Sequence, residues 1–161
     1  MNKYKINDNL KPYSNNELLK ELITKQRKLI YHDKKLQYSD LKRICKYING
    51  SIFDENKCVL WTGYITNKNN QNKGTYINFY FKKKKSALHR LLYNNFIEEL
   101  SNDEYIKFSC ENKGTCCNVM HLKKFKYQKN TNKNIDNKIN NKNINKTIKN
   151  IEPINFKISF D

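Results

Sequence analysis

Four sulfur and nitrogen donors are spaced along the chain like the ligands of one tetrahedral metal ion. Cys110, Cys116 and His121 lie within the segment FSCENKGTCCNVMHL, and Cys58 lies upstream at the start of an apolar run. Three thiolates and one imidazole fill the shell of Zn²⁺ and leave no position for a substrate. The sequence therefore predicts a structural zinc site that joins the Cys58 segment to the later loop. The alternative is a set of free, half-buried thiols.

The two remaining cysteines are predicted to lie outside this site. Cys117 could replace its neighbour Cys116 as a ligand, and we take Cys116 as the predicted one. Cys45 falls on the apolar face of a predicted helix and is expected to be an ordinary core residue. Five cysteines, an odd number, follow a polar N-terminal segment in which we predict no signal peptide. This pattern favours metal binding in a reducing, intracellular compartment over a disulfide framework.

The charge balance limits the class of partner. The chain has 161 residues, with 32 Lys and Arg against 15 Asp and Glu, which gives a formal net charge of +17. Such an excess favours a polyanion, and nucleic acid is the commonest. A membrane is not expected, because no stretch approaches the roughly 20 apolar residues of a spanning helix. Heavy use of Lys, Asn and Ile also indicates an AT-rich genome, such as that of a virus or mobile element.

A small core is expected to need the metal. Hydrophobic residues make up 37% of the chain, below the roughly 45–50% of an average globular protein. Domains with such thin cores are usually held together by disulfides, a metal or a partner chain. A zinc ion can supply that stabilisation here.

The first part of the chain is predicted to be helical. Residues 1–13 are expected to be disordered. Ser14 and the two residues after it offer caps for a helix over about 16–33, and Ser39 can cap a short second helix. The resulting N-terminal helical segment, 14–50, shows no functional signal beyond packing.

The second part of the chain, 51–132, mixes strands and helices. The run KKKKS is predicted to break the second strand, and a further helix is predicted to begin near Lys126. The Asn- and Lys-rich residues 133–161 are predicted to form a disordered basic tail. The other predicted elements are strands at 58–64 and 75–81, a helix at 87–96, and a hairpin with arms at 104–108 and 122–125.

Lysines and aromatic residues supply the expected nucleic-acid contacts. Lysines next to a strand or hairpin can grip phosphates, and every second residue of the strand at 75–81 can face DNA while the others pack. The alternative is a solvated strand face with solvated charges. Trp61 is expected to anchor the core rather than stack on bases. The predicted contact residues are Tyr76, Asn78, Tyr80, Lys82, Lys83, Lys84, Lys85, Lys123, Lys124 and Lys126.

The chain from about Cys58 to Asn130, under half of its length, resembles the HNH or His-Me finger endonucleases, particularly the zinc-loop homing endonucleases. That family typically reads C-x-x-W-x-G, then A-H-R before a helix, then a block of the form H-x-C-x(n)-C-x-N-P-x-H-L. The matching residues here are Cys58, Trp61 and Gly63 for the opening, Ala87, His89 and Arg90 for the middle with Leu88 inserted, and Cys110, Cys116, Asn118, His121 and Leu122 for the last block.

The resemblance implies an α+β fold with a ββα-metal core, and it implies roles for single residues. The family's general base is a His at the end of the first hairpin strand, and here that position holds Phe108. The family's helix Asn, which helps to hold a divalent cation, corresponds to Asn130, and an amide oxygen suits Mg²⁺. Asn130 could instead be a solvated tail residue. His89 is a weak substitute base, and its alternative is a buried, satisfied histidine.

Three functional hypotheses remain open. The resemblance implies a double-stranded DNA endonuclease with a structural zinc and a catalytic Mg²⁺. Since a phenyl ring cannot accept a proton, Phe108 supports a catalytically silent relative that binds DNA. The third hypothesis is an unrelated zinc protein that acts on RNA or on a transcription complex. The basic tail could also order against a second subunit in a homodimer, and no small-molecule substrate is expected.

Overall fold

The computed structural model describes residues 13–70 and 72–128. The predictions for residues 1–12, for Asn130 and for the tail at 133–161 lie outside these residues. The described part is an α+β fold with two separate antiparallel strand pairs. Its elements are α1 (Asn15–Lys25), α2 (Tyr38–Cys45), β1 (Asn78–Phe81), β2 (Lys84–Ala87), α3 (Leu88–Phe96), β3 (Glu104–Phe108), a 3₁₀ turn (Val119–His121) and β4 (Leu122–Lys126).

Helix α1 begins as predicted and ends earlier than predicted. Ser14 caps it, and Glu17 returns the hydrogen bond to complete a capping box. The expected continuation to residue 33 is wrong because Gln26 leaves the helix in an extended conformation. Its side chain donates hydrogen bonds to the Leu36 carbonyl and to Oδ1 of the fully buried Asn95. These tertiary bonds replace the next helical turn.

Helix α2 packs against α1 and carries part of the core. It begins after Gln37, two residues before the predicted cap, because Asp40 bonds back to the Gln37 backbone. Cys45 is buried in the core, as predicted. None of the helices in the described residues has the length and apolar character that crossing a bilayer requires.

The lysine run forms part of a hairpin, so the prediction that KKKKS breaks the strand pattern is wrong. Strands β1 and β2 pair directly, with Tyr80 opposite Lys85. Lys82 and Lys83 form the two-residue turn, and both have positive φ, 47° and 64° respectively. Such turns suit the twist of paired strands and usually hold Asn or Gly. Four identical lysines therefore gave no turn signal.

The segment at 58–64 is not the regular strand that was predicted. It makes one isolated bridge, Leu60 to Cys116. Trp61 N–H donates to the Thr115 carbonyl, and Cys117 N–H donates to the Val59 carbonyl. The segment therefore pairs with the cysteine loop itself, which fixes the backbone next to Cys58.

The predicted hairpin of EYIKF and LKKF is confirmed. Strand β3 pairs with β4 in register, from Glu104 opposite Lys126 to Phe108 opposite Leu122. Leu122 and Ile106 pack with Tyr93 of α3. The helix predicted near Lys126 does not begin there, because Lys126 is the last residue of β4. Any helix from residue 129 onward lies outside the described residues.

A substitution at Gly114 would test how closely the cysteine loop packs against the segment before β1. Its φ is +78°, and a Cβ there would lie 2.0 Å from the Thr75 carbonyl oxygen. We expect Gly114→Ala to lower the free energy of unfolding by about 1–3 kcal/mol or more, since both the strained φ and the backbone contact must be relieved. Thermal melting measures this loss. Gly74→Ala is the matched control, because its added Cβ meets nothing within 4 Å. Equal melting temperatures for the two variants would contradict the prediction.

Candidate metal centre and nucleic-acid interface

The structure brings the four predicted metal ligands together. One ligand atom from each of Cys58, Cys110, Cys116 and His121 lies within 4.8 Å of the other three. The Cys58 and Cys116 sulfurs each lie 3.6 Å from Nδ1 of His121. Zinc bonds of ~2.3 Å to sulfur and ~2.0–2.1 Å to nitrogen in a tetrahedron separate those atoms by about 3.6 Å. The donor set therefore fits Zn²⁺, and a metal ion can bind here.

The orientation of the His121 ring also suits a metal. Its Nε2 lies 3.0 Å from the Glu55 carbonyl oxygen. A carbonyl can only accept, so Nε2 carries the proton and Nδ1 keeps the free lone pair that a metal needs. Nδ1 is the atom that faces the sulfurs. A backbone carbonyl outside the cluster thus fixes the ligating tautomer.

The hairpin and a buried asparagine position these ligands. Ser109 N–H donates to the His121 carbonyl at 2.8 Å, which closes the β3–β4 hairpin beside the cluster. Asn118 is fully buried, and its side chain donates to the carbonyls of Asp54 and Lys57. Asn118 therefore ties the cysteine loop to the residues just before Cys58. The sequence pattern included Asn118 without indicating this role.

The thiols of the cluster have pKa values displaced in both directions. Burial raises the pKa of Cys116 to about 12 and also raises that of Cys110. A hydrogen bond from the Asn112 side chain lowers the pKa of the exposed Cys58. Coordination to a cation deprotonates such thiols. A metal ion held by all four ligands would have no open position for a substrate, which is the arrangement of structural rather than catalytic zinc sites.

Cys117 lies outside the cluster, although it is adjacent to a ligand. Its side chain is fully buried in the main hydrophobic core, where burial raises its pKa. Alternation along the extended backbone turns neighbouring side chains to opposite sides, so only Cys116 faces the other ligands. Trp61 is also in the core, 7% exposed, with its ring 4.8 Å from that of Tyr47.

Phe108, at the position that the resemblance would assign to a general base, makes an apolar contact. The ring of Phe108, the last residue of β3, meets that of His89 edge to face at 4.8 Å. His89 is 7% exposed, and its Nε2–H donates to the Cys116 carbonyl at 2.9 Å. Burial lowers the pKa of His89 to about 4. This geometry favours the interpretation of His89 as a buried, satisfied histidine.

The predicted nucleic-acid residues divide into exposed and engaged side chains. Tyr76 and Tyr80 are exposed while Ile77, Phe79 and Phe81 are buried, so the alternation predicted for this strand is confirmed. Lys124 forms ion pairs with Glu98 and Glu104. The other predicted lysines are exposed: Lys82, Lys83, Lys84, Lys85, Lys123 and Lys126. Lys82 also donates a hydrogen bond to the His32 carbonyl.

The chain is similar in sequence to a viral protein. An uncharacterized protein of Acanthamoeba polyphaga mimivirus is 59% identical over 117 residues, which are 73% of this chain. The chain spans about a third (34%) of the length of that relative. No family model matches the chain, and no solved structure matches it. The viral relative agrees with the viral source expected from the heavy use of Lys, Asn and Ile.

Proposed function

We propose that the chain is a zinc-stabilised module that binds double-stranded DNA on a scaffold of the HNH, or His-Me finger, type and does not cleave it. The observation that carries this proposal is the β3–β4 hairpin, closed at one end by the Cys₃His cluster and holding Phe108 against His89. The cluster supports the zinc-loop type of scaffold. The Phe108–His89 contact supports binding without hydrolysis.

Hydrolysis by this scaffold needs a group that takes a proton from water. General acid–base catalysis contributes about 10²–10⁴-fold to a rate, and a phenyl ring contributes none of it. Among the described residues, the other histidines are a cluster member, His121, and His32, which lies on the loop after α1. Neither replaces the missing base, so DNA binding is the better-supported activity.

The β1–β2 hairpin supplies the proposed DNA contacts. Tyr80 and Lys85 lie directly opposite each other and therefore share a face of the ribbon. Asn78 lies two residues from Tyr80 on that same face. A two-stranded ribbon fits the major groove, where lysines contact phosphates and polar side chains reach base edges. Lys124 is left out of the proposed contact set because its charge is paired with glutamates.

Salt-dependent duplex binding tests this proposal. We expect the zinc-loaded chain to bind a labelled DNA duplex, with affinity falling steeply between about 50 and 200 mM salt. A Lys83→Ala, Lys85→Ala double variant should bind more weakly, and each lysine that no longer neutralises a phosphate should reduce the salt slope by about 0.9. Fluorescence anisotropy measures both quantities.

The charge-matched control is the double variant Lys20→Ala, Lys28→Ala, which removes exposed lysines from α1 and the loop after it. It should bind nearly as the native chain does. Equal reductions in affinity for the two double variants would contradict the hairpin contacts, and no duplex binding at all would contradict the proposal. Displacement of the duplex by a lower concentration of single-stranded RNA would favour the RNA hypothesis instead.

A further inference from the structure

A second feature of the molecule is a cleft between the end of α2, the segment at 58–64 and β1. Its volume is about 310 Å³, within the usual size range of small-ligand sites, roughly 300–1,000 Å³. Aromatic rings dominate the lining, and two of them, Tyr64 and Tyr80, are 81% and 58% exposed. Exposed, flat rings on a cleft wall can stack on a planar ligand.

One residue that lines this cleft carries a hydrogen-bond donor without a protein partner among the described residues. Trp61 lines the cleft and is 7% exposed, and within the part of the chain that the structure describes its indole Nε1–H has no hydrogen-bond partner. A Cβ on Gly63 would lie 2.6 Å from Nε1 and 2.9 Å from Tyr47. Only glycine at 63 therefore leaves the donor uncovered. An N–H that a ligand shields from water is costly if it stays unpaired, and an acceptor on the ligand would satisfy it.

The charges at the cleft favour an anionic ligand. Arg43 and Lys46 line it, and no carboxylate of the described residues does. One guanidinium nitrogen of Arg43 is held by Asp40 and the Tyr80 carbonyl, each at 2.7 Å, and the group lies 4.4 Å from the Phe79 ring. Lys46 is exposed and makes no such contact in the described residues. Flat rings, a free N–H donor and the unpaired ammonium of Lys46 together match a base joined to a phosphate.

We propose that this cleft binds one unpaired nucleotide of a single-stranded nucleic-acid segment. The base stacks on Tyr64 and accepts a hydrogen bond from Trp61 Nε1–H, and the adjoining phosphate meets Lys46. Paired bases do not expose their ring faces in this way, so the cleft adds a single-strand site to the duplex surface of the proposed function.

The emission of Trp61 reports occupancy directly, because it is the one tryptophan of the chain. Hexathymidylate added to the full, zinc-loaded protein should quench this emission to saturation. Tyr64→Ala should weaken the affinity by about 5–150-fold, the range expected when one base–aromatic stack is removed. Lys46→Ala should reduce the salt slope by about 0.7. A hexauridylate arm compares ribose with deoxyribose.

The matched control is Tyr31→Ala. Tyr31 is 63% exposed and lines a different cavity, of about 370 Å³, on the loop after α1. It should change hexathymidylate affinity by less than about twofold, within the error of a surface substitution. Equal affinities for Tyr31→Ala and Tyr64→Ala, or the lack of saturable quenching, would overturn the proposal. Equally strong quenching by a hexaglutamate peptide would overturn it in favour of an acidic peptide site.

Duplex binding by the same proteins separates this inference from the proposed function. Tyr64→Ala should bind duplex DNA as the native chain does. Duplex binding without hexathymidylate quenching would overturn the cleft alone. Hexathymidylate quenching without duplex binding would overturn the duplex proposal alone.

Discussion

Replacing Cys116 by alanine is expected to abolish both zinc binding and the cooperative thermal transition of the chain. Cys116 is fully buried and lies 3.6 Å from His121 Nδ1, so its removal leaves an incomplete ligand set in a thin core. Structural zinc sites contribute on the order of 10–16 kcal/mol of apparent folding free energy. The native chain should contain one zinc ion and unfold when a strong chelator removes it. Metal analysis and thermal melting check these outcomes.

The matched control for that variant is the adjacent Cys117→Ala. Cys117 packs in the hydrophobic core and takes no part in the cluster. This variant should keep a full complement of zinc and melt cooperatively. Its melting temperature should be somewhat lower, because removing the sulfur leaves a small cavity in the core. Zinc loss in Cys117→Ala with zinc retained in Cys116→Ala would show that the ligand assignment is wrong. A native chain with no zinc would remove the basis of the proposed scaffold.

Replacing Phe108 by histidine is expected to introduce DNA cleavage in the presence of Mg²⁺. Residue 108 ends β3 beside the cluster and is half-buried, so an imidazole can be accommodated there. A general base at this position should raise the nicking rate by about 10²–10⁴-fold over the native chain. Conversion of supercoiled plasmid to its nicked form measures that rate.

Two variants show whether the gain comes from the base. Phe108→Ala removes the ring and adds no proton acceptor, so it should stay inactive. Adding Asn130→Ala to Phe108→His should remove the gained activity, since the resemblance makes Asn130 the Mg²⁺ ligand. If Phe108→His binds DNA and zinc normally but nicks no faster than Phe108→Ala, the His-Me finger interpretation of this hairpin is wrong.

The metal ligands and the second hairpin were predictable because their signals are local. The donor types of Cys110, Cys116 and His121 lie within twelve residues, and the flanking arms at 104–108 and 122–125 are short and apolar enough to pair. Cys58 followed from the requirement for a fourth ligand. These inferences need no knowledge of distant packing.

The missed features depend on contacts between distant parts of the chain. Helix α1 ends at Lys25 because Gln26 bonds to Asn95, which lies 69 residues away. Leu29 continues the apolar period of the helix yet is 87% exposed. The contact between His89 and Phe108 likewise arises from the packing of α3 on β3. Periodicity along one segment carries no information about such partners.

The most direct test of DNA binding without cleavage is to incubate the native, zinc-loaded chain with supercoiled plasmid and Mg²⁺, and to divide the sample before electrophoresis. We expect a retarded plasmid in the untreated half and intact supercoiled plasmid in the half freed of protein. Nicked or linear plasmid in the second half would show that the native chain is a nuclease despite Phe108. An unretarded plasmid in the first half would contradict DNA binding itself.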